Sequence, residues 1–374
     1  MKYFIKTFGC AQNTADTEKI EGNLLAQGMK LARSINSADL IVVNTCMVRE
    51  AAENRVYGLV NNLNKKTKIP KIIITGCMVG IGKTNKKYLE RLALKLPNVE
   101  LEYTENLVKP ENINRNDKNI GYVTITNGCN NFCSYCIVPF SRGKEVSRPY
   151  QDIIKECKKL AEEKVDEIML LGQNVNSYGS DLNEKNLKPI YVMSMGKNRV
   201  PSLFPHLLND VAKLGFKSIS FMSSNPWDFS DELIEVIKNN PNISRTIHLP
   251  LQSGSTAVLR KMNRFYTKED YLNLITRIKS QIPDIKFTTD IIVGFCGESE
   301  GDFKDTVEVC KAVNFDKAYV ALYSPRQFTL SYKKFKDDIK YPEKRKRWLV
   351  LENLINKPYL ERIKLETSLP KRTA

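Results

Sequence analysis

This chain of 374 residues has no long apolar run and no pattern of a secretion signal, and it has only two histidines. No apolar stretch approaches the roughly 18 residues that a membrane-spanning helix needs. The first residues, MKYFIK, lack the apolar core of a signal peptide and lead straight into a strand pattern. Both absences predict a cytoplasmic protein with no membrane partner. Of the two histidines, His248 lies in an apolar strand pattern, which favours a structural role over that of a catalytic base.

Acidic residues are also few relative to basic ones. The chain has 42 Asp and Glu against 58 Lys and Arg, which gives a formal net charge of +16. Such a field favours polyanionic partners, of which nucleic acid is the commonest. The alternative is a lysine-rich solvated surface, because lysines such as Lys155, Lys158 and Lys159 follow a surface-helix pattern. Charge alone favours a nucleic-acid partner only slightly over this alternative.

Disulfides are not expected in a cytoplasmic chain, so the nine cysteines are interpreted as metal ligands or catalytic groups. Cys129, Cys133 and Cys136 have the spacing C-x₃-C-x₂-C directly after a strand-like segment. Three thiolates this close in sequence can bind three corners of a cubane iron–sulfur cluster and leave the fourth iron open for chemistry. The alternatives are half of a zinc site or three unrelated core cysteines.

A second set of cysteines follows a weak repeat near the N-terminus. Cys10, Cys46 and Cys77 each follow a short β-branched run, with helical patterns over residues 14–27 and 48–63 between the runs. This alternation predicts parallel strands whose carboxyl ends share one edge of a sheet, where ligands gather. The sequence therefore predicts a second three-thiolate site with another open iron. The alternative is three buried cysteines that coincide with strand ends.

From residue 120 onward, strand patterns alternate with helix patterns. Six strands are too few for a closed eight-stranded barrel, so a curved, partly open barrel is expected. The predicted fold class is α/β, with an N-terminal parallel-sheet domain followed by a partial (βα)6 barrel. The polar residues 181–201 predict a loop insertion. The predicted strands cover residues 120–126, 166–172, 218–224, 245–252, 286–294 and 316–324, and the predicted helices cover 150–164, 204–214, 230–239, 268–282 and 300–313.

Five segments are specific enough to compare with known families. They read GCNNFCSYCIVPFSRGKEVSR (128–148), LLGQNVNSYG (170–179), NPWDFSDELIE (225–235), HLPLQSGS (248–255) and TTDIIVGF (288–295). From Phe8 to about Arg326 the chain resembles the radical S-adenosylmethionine methylthiotransferase family. The first two segments are similar to the branch that modifies isopentenyl-adenosine in tRNA. Other branches modify threonylcarbamoyl-adenosine or an aspartate of a ribosomal protein.

The resemblance implies a radical-SAM barrel with two 4Fe–4S clusters and S-adenosyl-L-methionine as cofactors. One cluster is expected on the C-x₃-C-x₂-C motif, and a sulfur-donating auxiliary cluster on Cys10, Cys46 and Cys77. The implied activity adds a methylthio group to carbon 2 of N6-isopentenyladenosine next to the anticodon. Implied partners are the tRNA anticodon stem-loop and an electron donor such as a flavodoxin or ferredoxin. The alternatives are the targets of the other branches, or a non-catalytic iron–sulfur protein.

Residues at barrel strand ends are candidates for binding S-adenosylmethionine, and no catalytic residue is assigned beyond the clusters. Gln173 and Asn174 are candidates for contacting its methionine moiety. Gln252, Ser253 and Gly294 are candidates for the floor or rim of the same pocket. The alternative is that each is an ordinary turn residue at the end of a strand.

Three basic residues, Arg142, Lys144 and Arg148, follow the cysteine loop. They are candidates for contacting RNA phosphates, as Arg and Lys commonly do. The alternative is a solvated charged loop.

The predicted domains are residues 1–115 with the auxiliary cluster, 116–335 with the barrel, and 336–374 as a basic helix and tail. After a helical pattern over 341–366, no run of alternating strands follows. The small β-barrel RNA-binding domain with which the family commonly ends is therefore expected to be absent or truncated, and the basic run 344–348 is a candidate to compensate for it electrostatically. Cys296 stands where the family usually has proline and is interpreted as a neutral replacement rather than a new ligand.

Overall fold

The computed structural model describes residues 1–48, 50–66, 69–109, 112–184, 186–194 and 198–368. The chain divides into two compact units. Unit 1 comprises Met1–Asn130 and Cys136–Gln173, and unit 2 comprises Asn131–Tyr135 and the chain from Asn174 onward. The domain boundaries expected after residues 115 and 335 stay predictions.

Unit 1 contains a parallel sheet built from β1 (Lys2–Phe8), β2 (Lys30–Leu31), β3 (Leu40–Thr45), β4 (Lys71–Gly76) and β5 (Glu100–Leu101). The strand order is β2-β1-β3-β4-β5, and every pair is parallel. The central strand β3 reads LIVVNT and is buried along its whole length, as expected for a strand covered on both faces. In register, Phe8 faces Thr45 and Thr45 faces Gly76, so β1, β3 and β4 end at the same level.

Helices connect these strands. The patterns over 14–27 and 48–63 correspond to α1 (Ala11–Ala26) and α2 (Glu50–Asn64). Three more helices follow β4: α3 (Cys77–Gly80), α4 (Lys86–Lys95) and α5 (Thr104–Leu107). Of these, α4 begins at the N-cap Asn85, whose side chain accepts a hydrogen bond from the Tyr88 N–H.

The second part of unit 1 starts the barrel pattern. Strand β6 (Ile120–Thr124) precedes the short strand β7 (Thr126–Asn127), and α6 (Val138–Ser141) lies within the loop that carries the cysteines. β7 pairs antiparallel with β8 (Val146–Ser147) and closes the base of that loop. Helix α7 (Tyr150–Glu162) then leads to β9 (Glu167–Leu171), which pairs with β6 in parallel.

In unit 2, a β-hairpin occupies part of the segment expected to be a loop. Strand β10 (Ile190–Ser194) pairs antiparallel with β11 (Asn198–Ser202). The prediction of a loop over 181–201 is therefore wrong for its second half. The sequence pattern missed the hairpin because β11, which reads NRVPS, is polar and contains Pro201, a residue that disfavours strands.

The remaining barrel strands of unit 2 alternate with helices. In chain order, the elements are α8 (Phe204–Ala212), β12 (Ser218–Phe221), α9 (Asp231–Asn239), β13 (Thr246–His248), α10 (Thr256–Lys261), α11 (Lys268–Gln281), β14 (Lys286–Val293), α12 (Glu300–Val313) and β15 (Lys317–Leu322). β14 pairs in parallel with β13 on one side and with β15 on the other. Capping boxes at Thr267 and Ser299 start α11 and α12.

The C-terminal helices follow as α13 (Leu330–Lys334), α14 (Tyr341–Leu351) and, after a π-helical turn, α15 (Lys357–Ser368). Two of the basic residues in the run 344–348 are buried. Lys344 Nζ lies 2.5 Å from Asp337 Oδ1, and Arg347 Nη1 lies 2.6 Å from Glu298 Oε2. Lys344 and Arg347 thus use their charges inside unit 2, while electrostatic compensation by the run as a whole stays a prediction.

The expected fold class is confirmed: a parallel-sheet α/β region is followed by the alternating strands and helices of a partial barrel. In the part of the chain that the structure describes, none of the helices combines the length and apolar character needed to cross a bilayer.

Candidate functional site

The three N-terminal cysteines leave the sheet of unit 1 at one edge. Because β1, β3 and β4 end at the same level, the residues that follow them are neighbours. Cys10 is the N-cap of α1, Cys46 follows β3 directly, and Cys77 is the first residue of α3. Cys46 and Cys77 are buried, and Cys10 is exposed. The structure thus brings the three strand ends to one edge of the sheet, while a three-thiolate site that binds a cluster stays a prediction.

Buried amides tie these strand ends together. Asn13 Nδ2 donates to Asn44 Oδ1 at 3.0 Å and to the Thr45 carbonyl at 3.2 Å, and Asn44 Nδ2 donates back to the Asn13 carbonyl at 2.8 Å. Gly76 has a φ of 89°, and a Cβ there would lie 2.4 Å from the Thr45 carbonyl oxygen, so glycine is required where β4 ends. Sequence reasoning missed this network, whose only signal is an asparagine close to each of Cys10 and Cys46.

A partly buried arginine, Arg142, lies near two of these cysteines. Arg142 Nη2 donates to Asp16 Oδ2 at 2.9 Å, and Nη1 donates to Asn127 Oδ1 at 3.2 Å. Burial lowers the pKa of the Arg142 guanidinium, but attraction to Cys77, Asp16 and Cys10 outweighs burial and holds that pKa above its usual range. A positive charge therefore lies where two predicted cluster thiolates would carry negative charge. A contact between Arg142 and RNA phosphate stays a prediction.

The segment after Cys136 packs against the helix that begins at Cys77. A Cβ on Gly80, the last residue of α3, would lie 2.0 Å from the carbonyl oxygen of Ser141 in α6. Nearby, Thr84 Oγ1 donates to the Phe140 carbonyl at 3.3 Å. Within unit 1, the segment that follows one predicted cluster ligand is thus held directly against the helix that carries another.

The other cysteine motif begins in unit 1, where backbone contacts hold it. The Cys129 N–H donates to the Gly143 carbonyl at 3.2 Å. The Gly128 N–H donates to Gln173 Oε1 at 2.6 Å, and Gly128 has a φ of 82° with its missing Cβ directed at the Lys144 carbonyl. Gln173, predicted to contact the methionine moiety, therefore uses its side-chain oxygen to hold the cysteine loop.

Cys133 lies in unit 2, in the short segment Asn131–Tyr135. The Ser134 N–H donates to the Met262 carbonyl at 2.9 Å, and Ser134 Oγ donates to the Lys261 carbonyl at 2.7 Å. Arg264 Nη1 donates to Cys133 Sγ at 3.5 Å. The segment after α10 therefore fixes the position of Cys133.

Asn174 is buried next to a carboxyl group. Its Nδ2 donates to Asp228 Oδ2 at 2.7 Å, and Asn176 Nδ2 donates to Asp228 Oδ1 at 2.8 Å. Burial raises the pKa of Asp228 to about 7, against the opposing effect of the two amide hydrogen bonds. Among the described residues, Asn174 Oδ1 has no hydrogen-bond partner although it is buried. This oxygen can accept a hydrogen bond from a bound ligand.

The three residues predicted to form the pocket floor or rim all lie in unit 2. Gln252 adopts a left-handed φ of 65°. Ser253 is fully buried, and its Oγ accepts a hydrogen bond from the Ser255 N–H at 3.2 Å. A Cβ on Gly294 would lie 2.3 Å from Cγ of Lys344, so this glycine is in close contact with α14. Cofactor contacts of these residues stay predictions.

The remaining basic candidates differ in exposure. Arg148 Nη1 donates to Glu156 Oε2 at 2.8 Å and to the Thr124 carbonyl at 2.7 Å. Lys144 is exposed. A phosphate contact by either residue stays a prediction.

His248 and Cys296 have structural surroundings. The ring nitrogens of His248 lie 3.1 Å from Thr288 Oγ1 and 3.2 Å from Asp290 Oδ2. Cys296 is buried in an apolar cluster, and this burial raises the pKa of its thiol. Both observations agree with the structural roles favoured by the sequence.

The donor groups fit the cofactors that the sequence implies. Within the described residues, no three His, Cys, Asp or Glu side chains converge closely enough to hold a single metal ion. A cubane cluster needs a wider arrangement, because each thiolate binds a different iron. The unpartnered Asn174 Oδ1 is an acceptor that an N–H donor such as the amino group of S-adenosylmethionine could use.

Comparison with family models gives two matches. Residues 123–310 match the Radical SAM superfamily, and residues 2–95 match Uncharacterized protein family UPF0004. Among curated relatives, the tRNA-2-methylthio-N(6)-dimethylallyladenosine synthase of Thermotoga petrophila is 39% identical over 398 residues, covering 98% of this chain and 85% of that protein. The Clostridium tetani protein of the same name is 41% identical over 399 residues, covering 96% of this chain and 84% of that protein.

Solved structures share the fold at low sequence identity. The radical S-adenosylmethionine methyltransferase TsrM from Kitasatospora setae, with cobalamin and a 4Fe–4S cluster bound, aligns with a TM-score of 0.56 and 13% identity, covering 88% of this chain and 77% of that one. The cobalamin-dependent S-adenosylmethionine radical enzyme OxsB aligns with a TM-score of 0.54 and 11% identity, covering 96% and 56%. From its family matches and its relatives, the chain belongs to the radical S-adenosylmethionine methylthiotransferase family, in the branch of the tRNA-2-methylthio-N(6)-dimethylallyladenosine synthases.

Proposed function

We propose that this protein adds a methylthio group to carbon 2 of N6-isopentenyladenosine next to the anticodon of tRNA. The observation that carries the proposal is the presence of two separate sets of three cysteines, one in the radical SAM motif and one at a shared sheet edge of unit 1. Relatives that match almost the whole chain bear the name of this activity. The proposed location is the cytoplasm, and the proposed electron donor is a flavodoxin or ferredoxin.

Cys129, Cys133 and Cys136 would hold the 4Fe–4S cluster to which S-adenosylmethionine binds, and Cys10, Cys46 and Cys77 would hold a second, auxiliary cluster. When bound, these groups supply radical chemistry at an unactivated carbon and a source of sulfur. Three protein ligands at each cluster leave one iron open, as chemistry at a metal requires.

The protein's own groups would orient these cofactors. Asn174 Oδ1 would accept a hydrogen bond from the amino group of the methionine moiety, and Gln173 holds the backbone of the cysteine loop at Gly128. At the auxiliary site, Arg142 offsets part of the negative charge on Cys10 and Cys77. None of these residues needs to transfer a proton, in agreement with the lack of an assigned acid or base.

The test is an anaerobic assay of the reconstituted protein with S-adenosylmethionine, a reductant and tRNA that carries isopentenyl-adenosine. Mass spectrometry of the digested tRNA should reveal the 2-methylthio nucleoside. Cys129→Ala should abolish both S-adenosylmethionine cleavage and product, whereas Cys77→Ala should retain cleavage and lose the product. Cys157→Ala, at a buried cysteine of α7 outside both sets, is the matched control and should retain both activities.

Product on tRNA with threonylcarbamoyl-adenosine, or on a ribosomal protein, but not on isopentenyl tRNA would overturn the assignment of substrate. S-adenosylmethionine cleavage that disappears in Cys77→Ala would overturn the division of labour between the two cysteine sets.

A further inference from the structure

Arg264 is a buried guanidinium whose hydrogen-bond acceptors are an amide oxygen, a backbone carbonyl, a hydroxyl and the sulfur of Cys133. The side chain is 6% exposed. Its donors reach Asn225 Oδ1 at 2.8 Å, the Pro250 carbonyl at 3.3 Å, the Tyr266 hydroxyl at 3.3 Å and Cys133 Sγ at 3.5 Å. Buried arginines are rarely found without an anionic partner, because desolvation of a charge is costly. A cluster bound through Cys133 would supply an anionic partner for this guanidinium.

Aromatic rings hold the guanidinium in place. Its central carbon lies 4.4 Å from the ring centroid of Trp227 and 5.2 Å from that of Tyr266. The Tyr266 hydroxyl is in turn anchored to the Leu251 carbonyl at 2.6 Å. These contacts stabilise a cation and fix its plane, but they do not neutralise it.

Asp228 is not a full countercharge. Its carboxyl interacts electrostatically with Arg264, but both of its oxygens already accept hydrogen bonds from Asn174 and Asn176. Its burial also favours the neutral form of the acid. Among the contacts of Arg264, the group that remains to balance its charge is the sulfur of Cys133.

The turn that carries Arg264 contacts three successive residues of the cysteine segment. Asn263 Nδ2 donates to the Phe132 carbonyl at 3.0 Å, Arg264 donates to Cys133 Sγ, and the Met262 carbonyl accepts from the Ser134 N–H at 2.9 Å. Asn263 has a left-handed φ of 58°, the turn that follows the end of α10. The position of Arg264 relative to Cys133 is thus fixed by contacts to the backbone of the neighbouring residues as well as by its own hydrogen bond to the sulfur.

We propose that Arg264 is a positioning residue for the cluster on Cys129, Cys133 and Cys136, and that its hydrogen bond to the Cys133 sulfur raises the reduction potential of that cluster. The inference rests on the cluster assignment in the proposed function. Hydrogen bonds to cluster sulfurs and nearby positive charge favour the reduced state, because reduction adds negative charge. Arg264 thereby makes the cluster easier to reduce.

The test isolates this cluster in a full-length parent with Cys10→Ala, Cys46→Ala and Cys77→Ala. Midpoint potentials are measured by EPR-monitored titration in the parent and after adding Arg264→Gln or Arg264→Lys, with iron content and near-UV circular dichroism recorded for each. Arg260→Gln, which removes an exposed cation from α10 just before the turn that carries Arg264, is the matched control.

The expected result is a more negative midpoint potential in Arg264→Gln, a smaller shift in Arg264→Lys and no shift in Arg260→Gln. Loss of iron from an Arg264 variant with native circular dichroism also supports the proposal, because the cluster then depends on this contact. An unchanged potential with iron retained overturns the inference alone. Loss of native circular dichroism in both Arg264 variants assigns the residue to packing and overturns it too. A parent that binds no iron contradicts the proposed function and this inference together.

Discussion

Asp228 is a buried carboxyl group beside Asn174 in the candidate site, and its charge depends on pH near neutrality. Its carboxyl accepts hydrogen bonds from Asn174 and Asn176, which favour the ionised form. Desolvation is the larger effect and raises the pKa of Asp228 to about 7. In the unfolded chain, an aspartate titrates near its ordinary value of about 3.9. Folding stability must therefore depend on the protonation of this residue.

Asp228 should make the protein less stable as the pH rises from about 4 to about 7. Over that window the unfolded state has lost the proton that the folded state keeps, so the free energy of unfolding falls, by on the order of 4 kcal/mol in total. Above about pH 7 both states are ionised, and this dependence ends. The free energy of unfolding can be measured with urea for wild type and Asp228→Asn at several pH values. Any stability advantage of wild type over the variant should shrink or reverse as the pH rises. The same pH dependence of the free energy of unfolding in both proteins would contradict the raised pKa of Asp228.

At this scale, the sequence predicted the cysteines but few of the residues around them. Cysteine spacing and strand ends are local signals, so both sets could be proposed without a structure. The importance of Asp228 and Arg264 depends on burial and on partners far along the chain, such as Asn174 for Asp228 and Cys133 for Arg264. No local pattern around Asp228 or Arg264 carries that information.

Among the structural elements, α3 and α6 are in direct contact, and each adjoins one of the cysteine sets. Helix α3 starts at Cys77 and ends at Gly80, whose missing side chain leaves room for the Ser141 carbonyl. Helix α6 begins just after Cys136. Because both helices are a single turn, their mutual position depends on this contact rather than on helix stability.

Gly80→Ala should separate α3 from α6, because the new Cβ would lie 2.0 Å from the Ser141 carbonyl oxygen. Overpacking of this kind typically costs about 1–3 kcal/mol. The yield of methylthiolated tRNA per S-adenosylmethionine cleaved should fall. Thermal unfolding and the product ratio measure the two effects.

Gly58→Ala is the matched control, since Gly58 is exposed in α2 and the Cβ that alanine would add has no atom within 4 Å. It should stabilise the helix by about 0.5–1 kcal/mol and leave the product ratio unchanged. A Gly80→Ala protein with wild-type stability and product ratio would contradict the role given to this contact.

Long, strongly patterned elements were predictable from the sequence, and short ones were not. Runs of β-branched residues predicted β3, β4 and β14. Capping residues predicted where α11 and α12 begin. The four-residue helices α3 and α6 are too short for a periodic signal. The β10–β11 hairpin was missed because pairing with β10 overrides the weak strand propensity of β11, which is polar and contains Pro201.

For the whole molecule, the net charge of +16 and the family both suit an RNA substrate. Part of that charge is nevertheless internal. Four of the basic side chains make contacts inside the protein. Arg142 pairs with Asp16, Arg264 donates to Cys133, Lys344 pairs with Asp337 and Arg347 pairs with Glu298. Total charge is therefore a weaker guide to the RNA-binding surface than the exposed residues are, and the two cysteine sets remain the more specific basis for the function.

The most direct test of two separate three-cysteine sites is iron and sulfide counting after anaerobic reconstitution. It compares wild type with a Cys129→Ala/Cys133→Ala/Cys136→Ala variant and with the corresponding variant of Cys10, Cys46 and Cys77. Two separate sites should give about eight irons in wild type and about four in each variant. About four irons in wild type, falling to none without Cys129, Cys133 and Cys136, would contradict this prediction, because the N-terminal cysteines would then hold no cluster and no sulfur for transfer.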